Sequence, residues 1–247
     1  MCCLALLPGA AKAQPAGGPL LTGTHAELTV SLDAGYFKKT IGGVENRSRR
    51  MFLRATYGLA GRLDLFGILG LAKLQLELVD STGAELEDKF RPAYGAGFSL
   101  RMLRLHGIGM SVFMTGHVIR FKSTPSNTRT FQVEGADVSR VLEVDYDWRE
   151  ANINLGLAQD LKFMTVYGGV NLKYIERDEE KVEKLVFGGD GVAVASQSGT
   201  YKSGVLAMPL LGAEIKLPAR LRLNFEAAAG SDSDFTFYIG VSQTGSP

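Results

Sequence analysis

Glu27-Leu-Thr-Val-Ser-Leu-Asp-Ala-Gly-Tyr36 alternates without a break, setting Leu28, Val30, Leu32, Ala34 and Tyr36 against Glu27, Thr29, Ser31, Asp33 and Gly35. A period of two places successive side chains on opposite faces of a β-strand. The scheme recurs downstream: Tyr94, Ala96, Phe98 and Leu100 oppose Gly95, Gly97, Ser99 and Arg101, and Ile108, Met110, Val112 and Met114 oppose Gly107, Gly109, Ser111 and Thr115. Alternating segments are expected at 26–37, 49–60, 63–76, 92–103, 107–121, 140–157, 161–175, 201–216, 219–229 and 234–243.

The links between these segments differ in an ordered way. Leu59-Ala-Gly-Arg62, Arg104-Leu-His106, Ala158-Gln-Asp160 and Leu217-Pro218 read as tight turns, and they alternate with longer polar loops near 38–48, 77–91, 122–139 and 176–200. Gly230-Ser-Asp-Ser-Asp234 is short but falls on the long-loop side. The expected fold is therefore all-β: a single antiparallel up-and-down barrel of about ten strands over 25–243. Both termini and all the short turns lie at one end.

The chain has 247 residues and a net charge of +1, a balance that offers nothing to a nucleic-acid backbone. No window supplies the roughly 18 consecutive apolar residues of a membrane-crossing helix, so any crossing has to be made by strands. Both cysteines, Cys2 and Cys3, lie in Met1-Cys-Cys-Leu-Ala-Leu-Leu-Pro-Gly-Ala-Ala-Lys-Ala-Gln14. An apolar run followed by Ala11-Lys12-Ala13 reads as the tail of a secretory signal without its basic start. Residues 1–13 are thus expected to be leader, 14–24 a segment preceding the barrel, and 244–247 a tail. Cleavage after Ala13 leaves no cysteine for a disulfide or a thiolate metal site.

Alternation alone does not distinguish a membrane barrel from a soluble one, so the composition of the polar face decides. That face is rich in glycine, with Gly58, Gly67, Gly156, Gly169, Gly212 and Gly240 extending the pattern. Glycine weakens a strand unless something approaches its backbone closely, as happens inside a narrow barrel. The polar parity is therefore assigned to the lumen and the apolar parity to lipid. The expected lumen network is Glu27, Asp33, Arg50, Arg54, Lys73, Glu77, Arg101, His117, Glu143, Asp145, Asp147, Lys173, Arg222 and Glu226. Tyr36, Tyr94, Tyr146, Trp148, Tyr174, Phe235 and Phe237 lie next to the long loops and form an expected interfacial aromatic girdle, with Tyr57 and Phe66 beginning its counterpart at the other end. Tyr146 and Trp148 share the lipid parity only if a bulge near Arg149-Glu150 shifts the strand.

Short turns at one end, longer loops at the other and an even strand count are the organisation of bacterial outer-membrane barrels. With Tyr57-Gly-Leu-Ala-Gly-Arg-Leu-Asp-Leu-Phe-Gly67 as its local match, the chain resembles the superfamily of small outer-membrane β-barrels, the opacity-like and outer-membrane-protein-A-like barrel domains. The resemblance implies periplasmic short turns, outer loops, outer-membrane lipid as surroundings and the barrel assembly machinery as a partner. The end of the last strand, Phe237-Tyr-Ile-Gly240, has part of the terminal assembly signal of such barrels, without their terminal aromatic residue.

Mixed charges in a ten-stranded lumen are expected to pair with one another and fill it, because an unpaired charge in a confined interior costs several kcal/mol. Wide aqueous channels come nearer sixteen strands. The expected role is structural, adhesive or narrow transport, with an external ligand or surface engaging loops 122–139 and 176–200 and with no cofactor. One alternative is a soluble, exported, lipocalin-like ligand-binding barrel. Another is a rim hydrolase resembling the omptins, in which His117 would be oriented by Asp145 or Asp147; no omptin motif accompanies these residues and no catalysis is expected. Phe187-Gly-Gly-Asp-Gly191 lacks the lysine of a phosphate loop and reads as a flexible tip. Glu176-Arg-Asp-Glu-Glu-Lys-Val-Glu-Lys184 reads as a solvated loop, and His25 and His106 stand alone.

Overall fold

The computed structural model describes residues 28–77, 85–105, 108–133, 136–187, 190–231 and 234–243. The expected leader, the segment 14–24, the tail 244–247, and Glu27, His25, Gly107 and His106 lie outside them. The alternating segments form strands β1 (Leu28–Ile41), β2 (Val44–Ala60), β3 (Leu63–Glu77), β4 (Glu85–Glu87), β5 (Arg91–Leu105), β6 (Met110–Ser123), β7 (Ser126–Val133), β8 (Ala136–Asp160), β9 (Met164–Phe187), β10 (Asp190–Lys216), β11 (Leu221–Ala229) and β12 (Phe235–Gln243).

All pairings are antiparallel. β2 bonds to β1 and β3, and the order β2-β1-β12-β11-β10-β9-β8-β6-β5-β3 closes a ring of ten strands. β4 and β7 lie outside this ring: β4 extends from β3 and touches β7 at Glu87 and Ser126, while β7 forms a hairpin with the upper part of β8. Closure leaves no free edge within the ring, as a membrane-spanning sheet requires.

Outward side chains from one end of the ring to its middle are apolar. Leu32, Leu53, Leu69, Val118, Leu155, Val170, Leu211 and Ile239 all remain exposed on the closed sheet. The opposite face of the same strands buries Asp33, Arg54, Thr115, His117, Asn154 and Glu226. An apolar exterior around a polar interior is the inverse of a lipocalin-like soluble barrel, and a belt of this kind is stable only in lipid. The fold is a transmembrane β-barrel of the outer-membrane type.

Four of the expected outer loops are instead largely strand. Gly42 and Gly43, with φ of 59° and 77°, make a two-residue turn of the type that continues the right-handed twist of a hairpin, so 38–48 is strand, turn and strand. The segment 77–91 contains β4, 122–139 is mostly the β7–β8 hairpin, and 176–200 belongs to β9 and β10. β8, β9 and β10 run for 25, 24 and 27 residues, although about 9–11 suffice to cross a bilayer. Polar side chains do not end a strand when water rather than lipid surrounds it.

A second, apolar part of the interior runs from the level of the belt up between these projections. Phe37, Phe52, Leu74, Leu76, Leu86, Ile119, Phe121, Val144, Tyr146, Trp148 and Ile175 form one buried cluster. Trp148 is fully buried, stacked on Phe121 at 5.7 Å and edge-on to Phe37 at 5.7 Å. The outer half of the interior is thus lined largely by apolar side chains, with Lys39, Asn46 and Arg177 buried among them, where a charge-lined lumen was expected throughout.

Candidate functional site

β8 keeps an unbroken register with β6 from Met110↔Gln159 to Ser123↔Tyr146, and with β9 from Val138↔Phe187 to Asp160↔Thr165. There is no bulge at Arg149-Glu150. Without it, Val144, Tyr146, Trp148, Glu150, Asn152 and Asn154 all point inward. Tyr146 and Trp148 are therefore lumen residues and not part of the girdle. Tyr36, Tyr94, Tyr174, Phe235 and Phe237 do face outward at the upper margin of the belt, and Tyr57 faces outward near the lower end. Phe66 turns inward beneath the Arg54 guanidinium, whose carbon lies 5.0 Å from the ring centre.

The same parity moves several expected lumen charges outside. Lys73 and Glu77 lie on the outer face of β3, paired with Glu87 at 2.5 Å and with Arg47 at 2.7 Å. Asp145 is exposed and accepts a hydrogen bond from Thr124 Oγ1 at 2.8 Å. Asp147 takes Arg120 Nε at 2.9 Å on the outer face, and Glu143 pairs with Lys184 at 3.0 Å. Gly67 also faces outward, with open space around it. Asp33, Arg50, Arg54, His117, Lys173 and Glu226 are buried inside as expected, Arg222 lines the lower end beside Glu214, and Arg101 is half-buried on the inner parity.

Glu150, assigned no role from sequence, is the centre of the lumen. Its Oε2 accepts from Arg50 Nη2 at 2.8 Å and from Trp148 Nε1 at 3.3 Å, and its Oε1 from Asn152 Nδ2 at 2.8 Å and Lys173 Nζ at 3.3 Å. β2 and β8 stand four places apart around the ring by way of β3, β5 and β6, so the Arg50–Glu150 pair crosses the lumen. Arg50 also lies over the Phe37 ring at 5.0 Å, and Lys173 Nζ over the same ring at 4.6 Å while donating to Thr236 at 3.2 Å. His117 Nε2 lies 3.1 Å from Asn152 Nδ2, which continues the network downward.

Below this layer Arg54 holds Asp33 at 2.7 Å, and Tyr167 donates to Glu226 at 3.1 Å. Asp33 Oδ1, Arg54 Nε and Nη1, and His117 Nδ1 are buried without a hydrogen-bond partner among the described residues. Groups of this kind in a roomy polar space are satisfied by water. Above the layer, fully buried Arg177 is sandwiched between Tyr146 at 5.0 Å and Tyr201 at 4.7 Å and donates to Asn46 Oδ1 at 2.9 Å. Arg177 lay in a stretch read as a solvated loop; its inward parity, shared with Lys173 and Ile175, was the available signal.

The hydrolase arrangement is not formed by the residues proposed for it. His117 is bonded to Asn152 inside the barrel, whereas Asp145 and Asp147 point out of the opposite face further up. Among the described residues no cluster of three His, Cys, Asp or Glu is placed to hold a metal ion. The site's chemistry is that of a cross-barrel tie: one carboxylate held by two cations, an amide and an indole, beneath an apolar roof.

No protein-family model and no curated protein matches the chain. Among solved structures it is similar to the transport unit of the autotransporter AIDA-I from Escherichia coli, with 9% identity, a TM-score of 0.45 and 93% of each chain covered. It is also similar to the translocator domain of the autotransporter NalP from Neisseria meningitidis, with 13% identity, a TM-score of 0.42 and 92% and 90% covered. A third is the CymD monoaromatic hydrocarbon channel, with 8% identity, a TM-score of 0.32 and 91% and 89% covered.

Proposed function

We propose that this chain is an outer-membrane barrel with a closed lumen, whose role is carried by the sheet it projects beyond the membrane. The observation behind this is the Arg50–Glu150–Lys173 tie beneath the Trp148 cluster, which leaves the axis occupied by ion pairs below and by mostly apolar side chains and Arg177 above. A ten-stranded barrel has little interior to spare once side chains fill it. The material it commits above the lipid is large by comparison, since roughly a dozen residues of each of β8, β9 and β10 exceed the crossing length. A structural or adhesive role fits this distribution better than solute passage. Outer-membrane lipid is its surroundings, and the barrel assembly machinery is the partner its strand architecture requires.

Narrow transport is the second reading, favoured by the incompletely paired polar atoms of Asp33, Arg54 and His117 below the tie. Water bound to these atoms would line a polar path from the tie toward the short-turn end. Single-channel recording on the refolded protein separates the two. A closed barrel gives no steps of conductance, and regular openings in the unmodified protein overturn the proposal.

A further inference from the structure

Closure protects every strand edge within the ring, but the projecting sheet is not closed. Above the membrane β10 bonds to β9 on one side, while its pairing with β11 is confined to Leu210–Lys216. β11 and β12 are only nine residues each and end far below. β1 stops at Ile41, and the β1–β2 turn reaches β10 at Tyr201, whose ring lies against Gly42. From Gly191 to Thr200 no strand bonds to the second edge of β10 among the described residues.

An exposed edge is a template for another strand, and natural sheets blunt such edges with lysine, proline or a bulge. Here Gly191-Val-Ala-Val-Ala-Ser-Gln-Ser-Gly-Thr-Tyr201 contains no charge and no proline. Register shifts occur only between Ala193 and Ala195 and between Lys202 and Val205, so Ala195–Tyr201 is a regular run bracketed by bulges. Val192 is 60% exposed, and Ala195, Ser196, Gln197 and Ser198 are exposed as well. The neighbouring row on β9, Glu176 to Lys184, is densely charged. The contrast marks the β10 edge as a surface made for pairing.

We infer that this edge pairs antiparallel with the same edge of a second copy of the chain projecting from an opposing membrane. This deepens the adhesive reading above and rests on it. Self-pairing sets residues of Ala195–Thr200 against the same short stretch, and without charge it meets no like-charge opposition. Orientation follows from the barrel. β10 runs outward from the membrane, and a two-fold axis along the membrane normal preserves that outward component in both copies, which forbids antiparallel pairing. The axis has to lie parallel to the membrane plane, and it then joins two barrels that face each other across a gap.

The test uses the full chain reconstituted in two populations of differently labelled phosphatidylcholine vesicles, with heat-modifiable migration confirming the barrel in every variant. The unmodified chain is expected to tether the two populations. S196K/S198K on both sides, or S196D/S198D on both sides, should lower tethering about tenfold through facing like charges. Mixing the lysine vesicles with the aspartate vesicles should restore it. No tethering by the unmodified chain, tethering indifferent to the substitutions, or loss without rescue on mixing each overturns the pairing. So does cross-linking of S196C between copies within one vesicle in the absence of tethering. Conductance is measured separately, so an open lumen would overturn the closed-barrel reading without touching this one.

Discussion

Arg50 on β2 and Glu150 on β8, a hundred residues apart in sequence, meet at 2.8 Å across the barrel with neither side chain exposed. The pair is asymmetric in its surroundings. Among the described residues Glu150 is the one carboxylate paired with both Arg50 and Lys173, whereas loss of Arg50 still leaves Lys173 to balance it.

Leaving a buried charge without compensation costs about 3–5 kcal/mol. E150A takes the carboxylate from two cations and should fall in that range, whereas R50A leaves Glu150 paired with Lys173 and should cost less. Guanidinium unfolding of the protein in lipid vesicles measures both. Equal losses, or a larger loss for R50A, would remove Glu150 from the centre of the network.

Tyr167 lies across the backbone of Gly212, so that a β-carbon at 212 would overlap the ring, and from there its hydroxyl reaches Glu226. G212A should destabilise by about 1–3 kcal/mol through overpacking. The sign should reverse in a Y167A background, where the added methyl fills part of the space left by the ring. The temperature at which heat-modifiable migration is lost reports both effects, and additive losses in the double variant would contradict the stacking.

Leu155 faces lipid and Asn154 faces the lumen, one residue apart on β8. Cysteines placed singly at Val112, Leu155 and Phe225 should be labelled by a lipid-soluble maleimide, and one at Asn154 should not. L155R should cost about 2–4 kcal/mol if 155 lies near the bilayer midplane. Labelling at 154 in place of 155 would turn the barrel inside out and revive the soluble alternative.

Asp88 ties the outer ends of several strands together. Its carboxylate accepts from Arg91 Nε at 3.0 Å, Ser123 Oγ at 2.8 Å and the backbone amides of Thr124 at 2.8 Å and Lys89 at 2.6 Å. Burial pushes its pKa up, and these donors outweigh that effect and hold it below the usual 3.8. A carboxyl depressed in the folded state lends stability that is fully present above its unfolded pKa and is lost as pH falls through the folded value. Protease resistance of the β4–β7 region should therefore be constant at neutral pH and fall in acid below about 4. D88N should show the weakened state at pH 7 and little further change in acid.

Much of the architecture was legible in local patterning. Each of the ten alternating segments became one ring strand, because a period of two is a property of the strand itself and survives any tertiary arrangement. The site was less legible. A bulge introduced to keep Trp148 with the lipid-facing aromatics displaced Glu150 from the lumen, although the even-numbered run from Val144 to Asn154 needed no interruption. Lys73 and Glu77 were assigned to the lumen by charge, against the outward parity they share with Leu65, Leu69 and Leu71.

The sequence by itself determined the ten strands of the ring and its apolar belt from Leu28 to Val241, since these follow from alternation along the chain. Only the tertiary structure decided that Arg50, Glu150 and Lys173 meet, because that depends on how the ring's register staggers distant strands across a common axis. It also decided how far the strands continue beyond the lipid. Alternation looks the same on either side of the membrane surface, and in water a polar strand such as Glu176–Lys184 is as stable as its neighbours allow.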